Sequence, residues 1–252
     1  MAKFTDKNSY IIIFSIIMVL IIGVLLAGIA QGLSGKISKN ERFEKQQNIL
    51  YAMGINENEG DGDVTFIPTD KVESVFDKYI KKQLVIQGDS TTEDPEAFLI
   101  DVKKEVALAM EDANYQRRLP FFIGENEGKT LYIVPISGKG LWDAIWGFVA
   151  LDKNLVVQGV YFDHKGETPG LGANIKERYF MDDFIGEHIM KDNVFAGISV
   201  AKNNNDPSNL KKDDQKVDAL AGSTITGNGV TAMIKKDLAL YIPHLEKLIK
   251  QQ

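Results

Sequence analysis

Three short segments place glycine beside hydroxyl, aromatic or acidic residues in patterns that could hold a ligand. The first is Gly138-Lys139-Gly140-Leu141-Trp142. Its glycines permit close backbone approach, and Trp142 offers a flat apolar face to an aromatic ring; the plainer reading is a turn followed by a core tryptophan. The second is Gly166-Glu167-Thr168-Pro169-Gly170-Leu171-Gly172-Ala173. Proline and glycine fix the backbone path, bring amide N–H groups and Thr168 to a common point, and leave Leu171 placed for an apolar ring contact. Its plainer reading is a tight connection to the next helix. The third, Asp218 to Gly229, contains Ala221-Gly222-Ser223-Thr224-Ile225-Thr226-Gly227-Asn228 and leads into a helix. Free N–H groups and the positive end of the dipole make such a place an anion site, although Thr226 or Asn228 could simply cap the helix. The lysine of Gly-x-x-x-x-Gly-Lys-Ser/Thr is absent, so nucleoside triphosphate hydrolysis is not supported.

Composition narrows the chemistry further. With no cysteine, the chain cannot supply disulfides, iron–sulfur ligands or a thiol nucleophile, and any redox chemistry requires a bound organic cofactor. His164, His188 and His244 are well separated, and no carboxylate spacing completes a metal site around them. The formal charge of −6 argues against nucleic acid as a partner.

The elements that must position these segments follow an uncharged run from Tyr10 to Ala30, rich in Ile, Leu and Val. As a helix it would span ~30 Å, the thickness of a bilayer core, and it exceeds the apolar part of a cleavable signal. The expected organisation is a tail over 1–9, a transmembrane helix over 10–32 and one α+β domain over 33–252. A polar stretch over 34–40 is expected to separate the span from a juxtamembrane helix over 41–53 that stops at Gly54. Val75, Phe76, Ile80 and Leu84 predict a helix over 72–84. Apolar runs at 131–136, 147–151 and 156–162, with Asp152-Lys153-Asn154 as a turn, predict an antiparallel meander. A strand over 194–200, a loop over 202–215 containing Pro207, and a helix over 230–248 interrupted near Pro243 complete the pattern.

Taken in order, the apolar span, Gly-x-Gly-Leu-Trp at 138–142, Glu-Thr-Pro-Gly-Leu-Gly at 167–172 and Asp218 followed by Ala221-Gly222-Ser223-Thr224-Ile225-Thr226 resemble the C subunit of the sodium-translocating NADH:quinone reductase family. The usual family pattern at the last segment is Ser-Gly-Ala-Thr-x-Thr. This chain departs from it with Ala221 in place of serine or threonine and Ser223 in place of alanine. The resemblance implies a flavoprotein that carries FMN covalently as a phosphoester on Thr224, installed from FAD by a separate flavin transferase. Ser223 and Thr226 remain competing hydroxyls, and Gly222 and Gly227 would give the attachment segment access. By the same resemblance Trp142, Thr168, Gly170 and Leu171 line the flavin pocket, and the partners are the other subunits of a membrane complex.

No dinucleotide fingerprint of the Gly-x-Gly-x-x-Gly type follows a strand, so NADH is expected to bind elsewhere in the complex, and the chain supplies no catalytic residue of its own. The family places the domain on the outer, periplasmic face of the cytoplasmic membrane. Flanking charge points the other way, with Lys3 and Lys7 before the span and Lys36, Lys39, Arg42 and Lys45 after it. A large translocated domain overrides such short flanks. Two other readings stay open: the equivalent flavoprotein of an Rnf-type ferredoxin–NAD complex, and a cofactor-free scaffold held by one helix.

Overall fold

The computed structural model describes residues 8–60, 62–202, 204, 206 and 208–250. Lys3, Lys7, most of the tail over 1–9, and Pro207 lie outside the described residues. The chain divides into two compact units, one ending at Phe43 and the other beginning at Glu44. A single helix, α1 (Asn8–Ala52), covers both the apolar run and the expected juxtamembrane helix. The polar stretch at 34–40 does not break it. That stretch contains no proline, Ser34 Oγ donates to the carbonyl of Gln31 within the helix (2.9 Å), and extending a helix is far cheaper than starting one. The stop at Gly54 is present: Gly54 N–H donates to Tyr51 and Ile55 N–H to Leu50, the paired bonds that close a helix C-terminus. The apolar side chains of the run are exposed, and α1 is long and apolar enough to cross a membrane.

The second unit is built on a six-stranded antiparallel sheet. Its strands are β1 (Ile80–Gln87), β2 (Ser90–Glu93), β3 (Leu119–Asn126), β4 (Lys129–Lys139), β5 (Ala144–Leu151) and β6 (Val157–His164), ordered β2-β1-β3-β4-β5-β6. The meander expected over 131–162 is therefore present as β4 to β6. The helix expected over 72–84 is not: α2 (Val72–Tyr79) ends where β1 begins. Ile80 and Leu84 are four apart, a spacing that satisfies both a helix face and a strand face, and pairing of β1 with β3 decides between them. The strand expected over 194–200 is divided into β8 (Val194–Phe195), which pairs with β7 (Met190–Lys191), and β9 (Ser199–Ala201), which pairs in parallel with β10 (Lys216–Asp218).

One sheet face contributes Phe121, Ile123, Tyr132, Val134, Ile136, Ile145 and Val149 to a continuous core. Against it lies α5 (Thr224–Ile249), through Val230, Met233, Ile234, Leu238, Tyr241 and Leu245. This helix starts six residues earlier than expected and continues through Pro243. Asp237 anchors it to the sheet: its Oδ2 accepts from the Ser137 backbone N–H at 2.7 Å. The opposite face is covered in part by α3 (Val102–Glu111), whose Lys103 ammonium lies 4.4 Å from the centre of the Trp146 ring. A further short helix, α4 (Arg178–Asp182), packs Phe180 against Phe162 of β6.

Helix α3 is secured by Glu105, which is 1% exposed and accepts a paired bond from the Arg118 guanidinium (2.9 and 2.7 Å), one from the Arg118 N–H (2.9 Å) and one from the Tyr115 hydroxyl (2.7 Å). Burial alone would raise its pKa, but these bonds outweigh burial and hold it below the ordinary 4.5. A depressed folded value means that this contribution is complete above pH 4.5 and is lost as the pH falls through the folded pKa. Glu105→Gln should therefore cost about 1.5–3 kcal/mol near neutrality. The gap from the parent should narrow in urea titrations at progressively lower pH, and a gap that stays constant would contradict the assignment.

Candidate functional site

The three ligand-binding candidates converge at one end of the sheet. Residues 140–143 form the turn between β4 and β5, closed by a bond from Gly140 N–H to the Asp143 carbonyl (2.8 Å). Thr168-Pro169-Gly170-Leu171 is a tight turn in which Leu171 N–H returns to the Thr168 carbonyl (3.1 Å), with Gly170 at φ +76°. Proline second and a left-handed glycine third are the signature of a type II turn, so this path was readable from the residues. Asn174 Oδ1 accepts from Gly170 N–H at 3.1 Å and holds the turn closed. The third segment turns at Gly222, φ +72°, and a Cβ placed there would come 2.8 Å from Leu171 Cδ2. The third segment thus lies close to Leu171.

Glu167 joins all three segments, and no local pattern in the sequence marks that role. It is 5% exposed. Its Oε1 accepts from the Trp142 N–H at 2.9 Å, and its Oε2 accepts from the Thr226 hydroxyl at 2.6 Å. Burial would raise its pKa, yet the Thr226 hydroxyl and the N–H groups of Trp142, Asp143 and Leu141 more than offset burial and hold the carboxyl below its usual range. Trp142 is tied a second time, its Nε1 donating to Thr168 Oγ1 at 3.2 Å. That bond uses the hydroxyl as an acceptor and leaves its own proton free to donate.

The three hydroxyls at the start of α5 are in different situations. Thr226 is 1% exposed and committed to Glu167, while Ser223 is buried and directed towards the Ala221 carbonyl (3.4 Å). Thr224 is exposed, at the first helical position. No side chain caps this helix start, so the first-turn N–H groups beside Thr224 remain available to an anion. Thr226→Val should cost about 1.5–3 kcal/mol, because it leaves one oxygen of a buried carboxylate without its donor. Unchanged stability in a urea titration would contradict the bond.

The converging segments carry an apolar rim open to solvent. Trp142 is 67% exposed, Ile225 55%, Leu141 47% and Leu171 42%. Leu141 and Ile225 carry no distinguishing signal in the sequence beyond sitting next to Trp142 and Thr224. Trp142, Thr168, Gly170, Leu171, Gly222, Ser223, Thr224 and Thr226 all belong to the three converging segments. Gly227 has a different role from the access expected of it: it is buried, and a Cβ there would approach Val200 Cγ1 to 3.0 Å. It lets α5 lie close to β9. The arrangement fits a phosphorylated aromatic ligand, with a phosphate on the helix start and a flat ring over the rim.

Comparison with known proteins identifies the family. Residues 140–239, from the Trp142 turn through most of α5, match the FMN-binding domain family. The chain is 31% identical to the C subunit of the Na(+)-translocating NADH-quinone reductase of Yersinia pestis, over 89% of this chain and 86% of that protein. It is 29% identical to the same protein of Neisseria meningitidis over 98% of each. Among solved structures, the C subunit from Parabacteroides distasonis superposes with a TM-score of 0.69 at 29% identity, covering 84% of this chain and 96% of that one. The antiparallel sheet flanked by helices after one long apolar helix is therefore the family's fold, and the chain belongs to the family formed by the C subunit of the Na(+)-translocating NADH-quinone reductase.

Proposed function

We propose that this chain carries FMN joined through its phosphate to Thr224 and relays electrons within a membrane complex that oxidises NADH, reduces a quinone and moves sodium. The observation that carries this reading is the pairing of an exposed hydroxyl with uncapped helix N–H groups, on a segment that converges with others bearing exposed apolar side chains. In the attachment step, carried out by a flavin transferase, Thr224 Oγ forms a bond to the FMN phosphorus of FAD. The diphosphate P–O bond breaks, AMP leaves, and the threonine proton is released to solvent or base. The resulting phosphodiester keeps about one negative charge, which the α5 N-terminus stabilises by ~0.3–1 kcal/mol.

Bound FMN supplies reversible acceptance of single electrons. The residues of this chain hold and orient it. Trp142, Leu141, Leu171 and Ile225 offer apolar surface that excludes water from one side of the ring, and the free Thr168 proton serves a ring acceptor. The tether keeps the cofactor in a compartment that does not make it.

The direct test is to co-express the chain with a flavin transferase, precipitate it with acid and wash it. Yellow colour and fluorescence should stay with the protein, and a colourless pellet would remove the covalent reading.

In the same proposal α1 spans the cytoplasmic membrane through its apolar run, in contact with lipid, and the second unit lies on the outer face. Because the chain has no cysteine, one introduced as Lys153→Cys at the exposed β5–β6 turn reports orientation cleanly. A membrane-impermeant maleimide should label it in cells whose outer membrane has been permeabilised; labelling only after the cytoplasmic membrane is broken would reverse the orientation.

A further inference from the structure

We propose that Glu167 is a positioning residue that fixes the flavin seat and holds an unneutralised negative charge beside it. This rests on the flavin reading of the site, but the clasp itself does not need a cofactor. Its two oxygens bind the first and third segments, through the Trp142 N–H (2.9 Å) and the Thr226 hydroxyl (2.6 Å), while its own backbone belongs to the second. Its own N–H donates to His164 Nδ1 at 3.2 Å, which anchors the second segment to the end of β6.

The glycines around it are part of the same device. A Cβ at Gly140 would come 2.5 Å from Oε1, and one at Gly172 would come 2.5 Å from Oε2 and from Thr226 Oγ1. Both positions must lack a side chain for the carboxylate to lie where it does.

The hydrogen-bond partners of this carboxylate are neutral N–H and O–H groups. Asp143, in the same turn as Trp142, pairs with Lys165 at 3.0 Å. A buried charge satisfied only by dipoles keeps its field, and in a medium of low dielectric that field reaches nearby groups with little screening. Placed in contact with Trp142 and Thr226, it opposes the addition of electrons to a ring seated on the rim. The carboxylate therefore lowers the potential of the bound flavin as well as holding the three segments in place.

Two substitutions separate these effects in the full-length protein. Glu167→Gln keeps the shape and an acceptor for the Trp142 N–H but removes the charge. The flavin should remain attached and its midpoint potential should shift to more positive values; an unchanged potential overturns the electrostatic part. Glu167→Ala removes the clasp. In chain made without the transferase, amide hydrogen exchange at 141–143 and at 227–229, the first hydrogen-bonded amides of α5, should accelerate at least tenfold relative to the parent, with the sheet amides unchanged. Equal exchange overturns the positioning role whether or not flavin is ever attached. Loss of the whole protection pattern would mean that Glu167 supports the fold generally, which also overturns it. Absence of flavin from the parent protein would instead refute the covalent reading and leave the exchange result standing.

Discussion

Thr224→Ala should yield a folded protein with no attached flavin. The side chain is exposed, makes no capping bond and sits at the first position of α5, where alanine is fully compatible with a helix. Its removal should therefore change stability by no more than about 0.5 kcal/mol. The loss of adduct should nevertheless be complete, because the two neighbouring hydroxyls are not substitutes: Ser223 is buried and Thr226 is buried and bound to Glu167. Thr224→Ser keeps a hydroxyl at the same place and should retain attachment. The readout is in-gel flavin fluorescence beside an unfolding curve for each variant. NADH-dependent quinone reduction by the assembled complex should fall to background in the alanine variant and return in the serine variant. Flavin persisting on the alanine variant would move the attachment point elsewhere.

Gly229→Val should markedly destabilise the second unit. Glycine inside a helix ordinarily costs about 1 kcal/mol relative to alanine, so propensity alone favours replacing it by a larger residue. Here the packing term is larger. A Cβ at Gly229 would collide with the Lys139 carbonyl oxygen of β4 and lie 3.2 Å from Ile145 Cδ1. The obstruction is backbone, which cannot rotate away, and Gly138 meets Met233 from the other side at 2.8 Å in the same sense. Overpacking of this kind costs about 1–3 kcal/mol. Valine adds two methyl groups and χ1 restriction on top, so a net loss of about 2–3 kcal/mol is expected. For a domain of this size, that is roughly 4–12 °C in Tm. Gly166→Ala is the matched control, because nothing lies within 4 Å of a Cβ there and its φ is ordinary. A valine variant as stable as that control would show that α5 can move off β4 at no cost.

Much of the fold can be read from local pattern. The apolar run, the stop at Gly54, the β4 to β6 meander and the Pro169-Gly170 turn each carry their own signal: length, a glycine after the last helical turn, β-branched runs between turn residues, and a residue pair suited to one turn type. The errors share a cause. Ile80 and Leu84 fit two periods at once, and only the partner strand β3 selects one. Gly227 and Gly229 look like loop residues because glycine is a poor helix former, whereas they are inside α5 because Val200 and the Lys139 carbonyl leave no room for a side chain. In both cases the deciding atoms are far away in sequence.

The site divides in the same way. Trp142, Leu171 and the hydroxyls at 223–226 stand out by residue type and by resemblance to the family. What separates Thr224 from Ser223 and Thr226 is burial, and burial follows from where α5 begins and from Glu167 reaching across to Thr226. Glu167 itself lies within a recognisable segment, but its bonds to Trp142 and Thr226 cross intervals that no periodicity describes.

The central claim is a single phosphoester, and peptide mass spectrometry of mature protein from its own host tests it most directly. The peptide containing residues 217–235 should be heavier by FMN less one water, with fragment ions placing the added mass on Thr224. An unmodified peptide, or the mass on Ser223 or Thr226, would contradict the account.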